Sequence, residues 1–173
     1  MNIKTIYLRI VKPTLPAKTL NKIFVLMLCL VLSPVYAAEP VSKSYFGDIA
    51  IGGHDSVAYH RVRSGAPHKA VEGKKTWKAK WKGANWLFTN KADRDLFAAD
   101  PESFAPAYNG HCANALSLGE GLVETDGTHW QIFGKQLYTF YAARGRQRWL
   151  DASDIAAYKA AADKAWREIL SGS

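Results

Sequence analysis

The sequence predicts a small α+β domain. Two pairs of short apolar stretches, each pair separated by turn residues, read as β-hairpins. Capped helical segments lie between and after them. Six Trp, eight Tyr and seven Phe are ample core material for a chain of 173 residues, which suits one domain. The expected arrangement is two hairpins in an antiparallel sheet packed with several helices.

The first 37 residues read as a signal peptide. They hold Lys4, Arg9, Lys12, Lys18 and Lys22 and no acid, followed by the apolar run Ile23–Leu32 and the break Ser33-Pro34. Val35-Tyr36-Ala37 places small residues where a signal peptidase reads them, so cleavage is expected after Ala37, with Ala38 as the neighbouring alternative. The apolar run is short for a membrane span, which needs about 20 residues. No later stretch is longer and equally apolar, so no span is expected after cleavage. The formal charge of +8 belongs largely to this segment. Without it, 18 basic residues face 15 acidic ones, a charge of +3. The high overall charge therefore gives no reason to expect nucleic acid as a partner. The expected product is exported and periplasmic.

Residues 38–48 read as a flexible leader ending near Phe46, and 49–170 as the folded domain. Ile49-Ala50-Ile51 is a short apolar piece, Gly52-Gly53 a turn, and Asp55 the cap of a helix beginning Ser56-Val57-Ala58-Tyr59-His60. Residues 61–75 are basic, contain Gly65, Pro67 and Gly73, and read as an exposed loop that includes His68. Trp77-Lys78-Ala79-Lys80-Trp81 alternates with period two, as a half-buried strand does, and returns through Lys82–Asn85 to Trp86-Leu87-Phe88. Asn90 and Asp93 form a capping-box-like pair opening a helix whose apolar face is Leu96 and Phe97. Asp100-Pro101 ends that helix and opens a short turn through Phe104, closed by Pro106. A helix is expected from His111 to Leu118, stopped by Gly119. Trp130–Phe133 and Gln136–Phe140 flank Gly134-Lys135 as a second hairpin. From Tyr141 the pattern is helical, with Ile155, Tyr158, Ala162, Trp166 and Ile169 forming one stripe.

Gly52-Gly53-His54-Asp55-Ser56-Val57-Ala58-Tyr59 opens a series of motifs. It is followed in order by Trp81-Lys82-Gly83-Ala84-Asn85-Trp86-Leu87-Phe88-Thr89, Leu96-Phe97 with Asp100-Pro101-Glu102-Ser103-Phe104, and Tyr108-Asn109-Gly110-His111-Cys112-Ala113 with Ser117-Leu118-Gly119. Together they resemble the exported YHS-domain proteins, over a span from Ile49 to Trp166. The resemblance implies a YHS-like α+β fold and a role in heavy-metal handling, since related YHS domains stand beside copper- and mercury-handling modules. The metal cysteines of those relatives correspond here to Ala58, Thr89 and Asp93, so their thiol site does not carry over. The exported branch includes selenoproteins, and the place matching the selenocysteine is Cys112, which implies chemistry at that sulfur.

Cys112 is the one cysteine left after cleavage, because Cys29 lies in the signal peptide. It has no internal disulfide partner. Backbone N–H groups at a helix start favour an anionic sulfur, as ligand or nucleophile. His111 could add an imidazole, and His54 and His129 are the expected distant ligands; His60 is a further candidate. Sulfur with imidazole suits a soft metal, copper(I) before zinc. The leading expectation is a metal-binding copper carrier or buffer serving a metal-transport or metalloenzyme-assembly protein. Two alternatives stand beside it: a thiol-based redox protein acting through Cys112, and a non-catalytic binding module whose Lys74–Lys82 stretch meets an acidic partner. Hydrolase motifs, nucleotide loops and haem attachment patterns are absent from the sequence.

Overall fold

In the computed structural model, residues 39–44, 46–62 and 69–172 are described. The expected signal peptide and His68 lie outside them. Residues 38–173 form one compact unit, and its architecture is α+β. The alternation along β1 (Lys74–Trp81) turns Trp77, Ala79 and Trp81 toward the core and leaves Lys78 and Lys80 exposed. β1 begins before Trp77 and carries an irregularity between Lys74 and Lys78. It returns through Lys82 (φ 46) and Gly83 (φ 77) into β2 (Ala84–Phe88). Positive φ at both loop positions is what a tight two-residue hairpin needs. β3 (His129–Phe133) and β4 (Gln136–Phe140) form the second hairpin.

The hairpins do not join in one sheet: each is a separate two-stranded sheet. The reason lies at their free edges. Ile49 bridges Asn85 on β2, and Ala50 N–H donates to the Asn85 carbonyl at 3.0 Å. Cys112 likewise bridges Thr139 on β4. Irregular chain thus covers one edge of each hairpin, at β2 and at β4.

Helix starts follow their side-chain caps. Asp55 accepts from Ala58 N–H at 2.9 Å and opens α1 (Ser56–Arg61). Asn90 accepts from Asp93 N–H at 3.0 Å and opens α2 (Lys91–Ala99). Asp93 does not return the favour to the Asn90 backbone; its carboxylate takes the side chains of Thr89, Asn90 and Arg61 instead. Phe97 of α2 is buried, while Leu96 is 49% exposed and not part of the apolar face expected for it. Asp100 caps α3 (Pro101–Phe104). The helix expected over His111–Leu118 is shorter, α4 (Ala113–Ser117), because Cys112 itself is the cap. The helical run after Tyr141 is two helices, α5 (Ala143–Leu150) and α6 (Ile155–Ser171), the second capped by Asp154.

Three apolar clusters result. Trp86, Phe88 and Phe97 centre the first, and Val41 belongs to it. The second gathers Tyr108, Leu116, Phe140 and Trp149 against the α6 stripe of Ile155, Tyr158, Ala162, Trp166 and Ile169. In the third, Tyr59 stacks on Trp130 at 4.3 Å beside Leu137. The leader expected over 38–48 is therefore not loose throughout. Val41 and Ser42 are buried, Ser42 N–H donates to the Asn109 carbonyl at 3.0 Å, and the Ser42 hydroxyl accepts from Thr125 N–H at 2.7 Å. The expected exposed loop over 61–75 is also partly built in. Asp55 N–H donates to Val71, Gly73 N–H donates to Gly53, and His54 bridges Glu72. Among the described residues no helix is long and apolar enough to cross a membrane.

Candidate functional site

Three successive left-handed residues build the corner that presents Cys112: Tyr108 (φ 58), Asn109 (φ 50) and Gly110 (φ 87). Two are not glycine, so the conformation is strained and must be held from outside. Asn109 is held through Ser42 and through its amide donating to the Pro40 carbonyl at 3.0 Å. Tyr108 is held by its hydroxyl donating to Asp163 at 2.8 Å. At Gly110 a Cβ would stand 2.5 Å from Ile51 Cγ2, so no side chain fits. The Gly110 carbonyl accepts from the Thr125 and Thr139 hydroxyls at 2.8 and 2.9 Å.

Cys112 follows as the cap of α4. Its Sγ accepts from Ala115 N–H at 3.5 Å and from Tyr141 N–H at 3.3 Å. The residue is 3% exposed and lines a cleft of about 290 Å³ between α4 and α5. Asn114, Leu118, Glu120, Tyr141, Arg144 and Arg148 share that lining. Arg148 is fixed by donating to the Asn114 side chain at 3.2 Å and by lying over the Tyr158 ring at 4.8 Å. Gly145 allows the close approach of α5, since a Cβ there would meet the Asn114 Cβ at 3.2 Å. The i, i+4 spacing of Arg144 and Arg148 puts both on one helix face. That spacing is the sequence signal that could have found them.

His111 is buried like Cys112 but serves another side of the chain. Both residues are extended (φ −71, ψ 157 and φ −62, ψ 111), and successive side chains of extended backbone point to opposite sides. The His111 Nδ1–H donates to the Tyr108 carbonyl at 3.0 Å, and its ring packs 6.0 Å from Trp166. Burial pushes its pKa down, against the pull of the Tyr108 carbonyl and Glu124. The adjacent Cys–His pair does not converge on one point.

His54 and His129 gather elsewhere, around the Asp126 turn. His54 Nδ1–H donates to the Asp126 carbonyl at 2.7 Å. His129 sits at the start of β3 opposite Phe140. Burial alone would raise the Asp126 carboxyl. The Thr128 hydroxyl and N–H, then His54 and His129, outweigh burial and hold it low. The four residues expected as metal ligands are thus split between the Cys112 cleft, the Trp166 side and the Asp126 turn. Among the described residues no three of His, Cys, Asp and Glu come together as a metal site.

Thr89 and Asp93, two of the three positions where the resemblance loses its thiols, are joined in a polar network. Asp55 is fully buried and accepts from Thr89 N–H at 2.8 Å and the Thr89 hydroxyl at 3.0 Å. The Thr89 hydroxyl also lies 3.0 Å from Asp93, which pairs with Arg61. Burial raises the Asp55 carboxyl above its ordinary range despite these donors. Asp93 is held low because Arg61 and Thr89 outweigh its burial. Asp55 reads from sequence only as a cap, and its second role depends on Thr89, 34 positions away. No family model, curated protein or solved structure matches this chain.

Proposed function

We propose that this chain is an exported, YHS-like protein that works through the Cys112 sulfur as a reactive thiol toward anionic disulfides or thiols. One observation carries the reading. Cys112 lines a cleft with two arginines, its Sγ receives two backbone N–H groups, and no histidine among the described residues shares the lining. Two arginines in the lining suit an anionic partner, since a guanidinium pairs with carboxylates. Thiolate with imidazole is the donor set that suits copper, and among the described residues this cleft offers Glu120, Asn114 and two arginines beside the sulfur. In the reaction, the Cys112 thiolate attacks one sulfur of an external disulfide. A new S–S bond forms to Cys112, and the other sulfur departs with its electron pair as a thiolate.

The test uses residues 38–173, the compact unit. Glutathione disulfide, which is anionic, is compared with cystamine, which is cationic, and the adduct is read by mass. The expected result is a single adduct at Cys112 that forms faster with glutathione disulfide. Arg144→Gln with Arg148→Gln should remove that preference. A copper(I) titration runs beside it. One copper bound per chain and lost in Cys112→Ser, with no disulfide adduct, would overturn the thiol reading in favour of the copper carrier.

A further inference from the structure

The turn Phe46–Asp48 carries the most exposed large apolar side chain among the described residues, Phe46 at 82%. This turn is docked on the first hairpin. Asn85 of β2 donates its N–H to the Asp48 carbonyl at 2.7 Å and its side-chain amide to the Gly47 carbonyl at 3.2 Å. The Ser44 hydroxyl donates to the Phe46 carbonyl at 2.8 Å. Phe46 is therefore presented on a braced turn.

The surroundings are cationic. Lys80 is the cross-strand partner of Asn85, the residue that holds the turn, and Lys78 follows two positions along the same face. Their neighbours Trp77, Ala79 and Trp81 take the core face, so both lysines project away from it. Lys43 pairs with Asp48, the acid of the turn, at 2.6 Å, and Lys80 adds its charge to that carboxylate's surroundings. Lys78 and Lys80 form no ion pair among the described residues. An exposed aromatic ring on a turn beside exposed lysines matches the interface of an anionic bilayer. The ring enters the acyl boundary while the ammonium groups remain with the headgroup phosphates.

We propose that Phe46, with Lys78 and Lys80 on the hairpin that holds its turn, seats this protein reversibly on an anionic lipid surface. One apolar group and a few lysines give weak, salt-sensitive attachment. The Cys112 cleft plays no part in it.

The test is co-sedimentation of residues 38–173 with vesicles of equal parts phosphatidylglycerol and phosphatidylcholine, and with phosphatidylcholine alone. Binding is expected to the anionic vesicles at low ionic strength, with release by salt. Near such a surface each lysine is worth about fivefold in partitioning. Lys78→Glu with Lys80→Glu should therefore abolish binding, Phe46→Ser should weaken it several-fold, and Cys112→Ser should leave it unchanged. All three altered surface side chains are exposed, so circular dichroism should show the fold intact. Absence of binding to the anionic vesicles would overturn the proposal, as would binding that survives both surface variants. Capture by polyglutamate without any capture by vesicles would overturn it in favour of an acidic protein partner.

Discussion

The backbone N–H of Tyr141 points at the Sγ of Cys112 across 3.3 Å, tying the residue after β4 to the start of α4. Because Ala115 N–H reaches the same sulfur, the atom proposed to react is also the cap of α4. Cap and reactivity separate on substitution. Cys112→Ser keeps an acceptor of the type helix starts prefer, so its urea midpoint should stay near wild type while adduct formation disappears. Cys112→Ala loses the acceptor and should cost about 1 kcal/mol. An alanine variant as stable as wild type would show that the sulfur is not acting as a cap.

Gly52 faces Asp126 with no room for a side chain. A Cβ there would lie 2.4 Å from the Asp126 carbonyl oxygen, and φ is 62. Gly52→Ala should therefore cost more than about 2 kcal/mol, since both backbone and turn must shift. The same shift should disturb the His54–Asp126 hydrogen bond, visible as a change in the His54 imidazole resonances. A midpoint unchanged within error would mean that the two turns are not packed this closely in solution.

Asp55 receives the N–H of Ala58, the N–H of Thr89 and the hydroxyl of Thr89. Asp55→Ala strands three buried or half-buried donors at once, and a loss of about 3 kcal/mol or more is expected. Asp55→Asn retains one acceptor oxygen and should fall between alanine and wild type. Urea denaturation of both variants checks the order, and an alanine loss below about 1 kcal/mol would contradict it.

His111 makes stability depend on pH. Burial lowers its pKa in the folded protein, so the unfolded chain binds a proton more readily. Its contribution is fully present above the unfolded value of about 6.5 and is lost as pH falls from there toward the folded value. His60, whose pKa is also lowered by burial, acts in the same direction. The urea midpoint should fall between about pH 7 and pH 5, and His111→Gln should flatten part of that slope. A His111→Gln profile parallel to wild type would assign the acid sensitivity to other groups.

Local chemistry made much of the fold legible. Period-two alternation from Trp77 to Trp81 placed a strand, Gly134-Lys135 placed a hairpin loop, and the Ile155–Ile169 stripe placed the packing face of α6. The caps Asp55 and Asn90 were equally readable, because a cap acts within three residues of itself. Leu96 was not, since only the packing of α2 decides which of two adjacent apolar residues turns inward.

The sequence by itself determined an α+β chain with two hairpins, their helices, and Cys112 at a tight corner. Tertiary structure alone decided that Ser42 braces Asn109, that irregular chain keeps the hairpins apart, and that His54 goes to Asp126 and not to Cys112. It also decided that two arginines and, among the described residues, no histidine share the Cys112 cleft. The physical reason is range. Periodicity, capping and turn preference act over a few residues, whereas His54 and Asp126 are 72 positions apart and Ser42 and Thr125 are 83 apart. Such pairs meet only where buried donors and acceptors must find one another as the core closes.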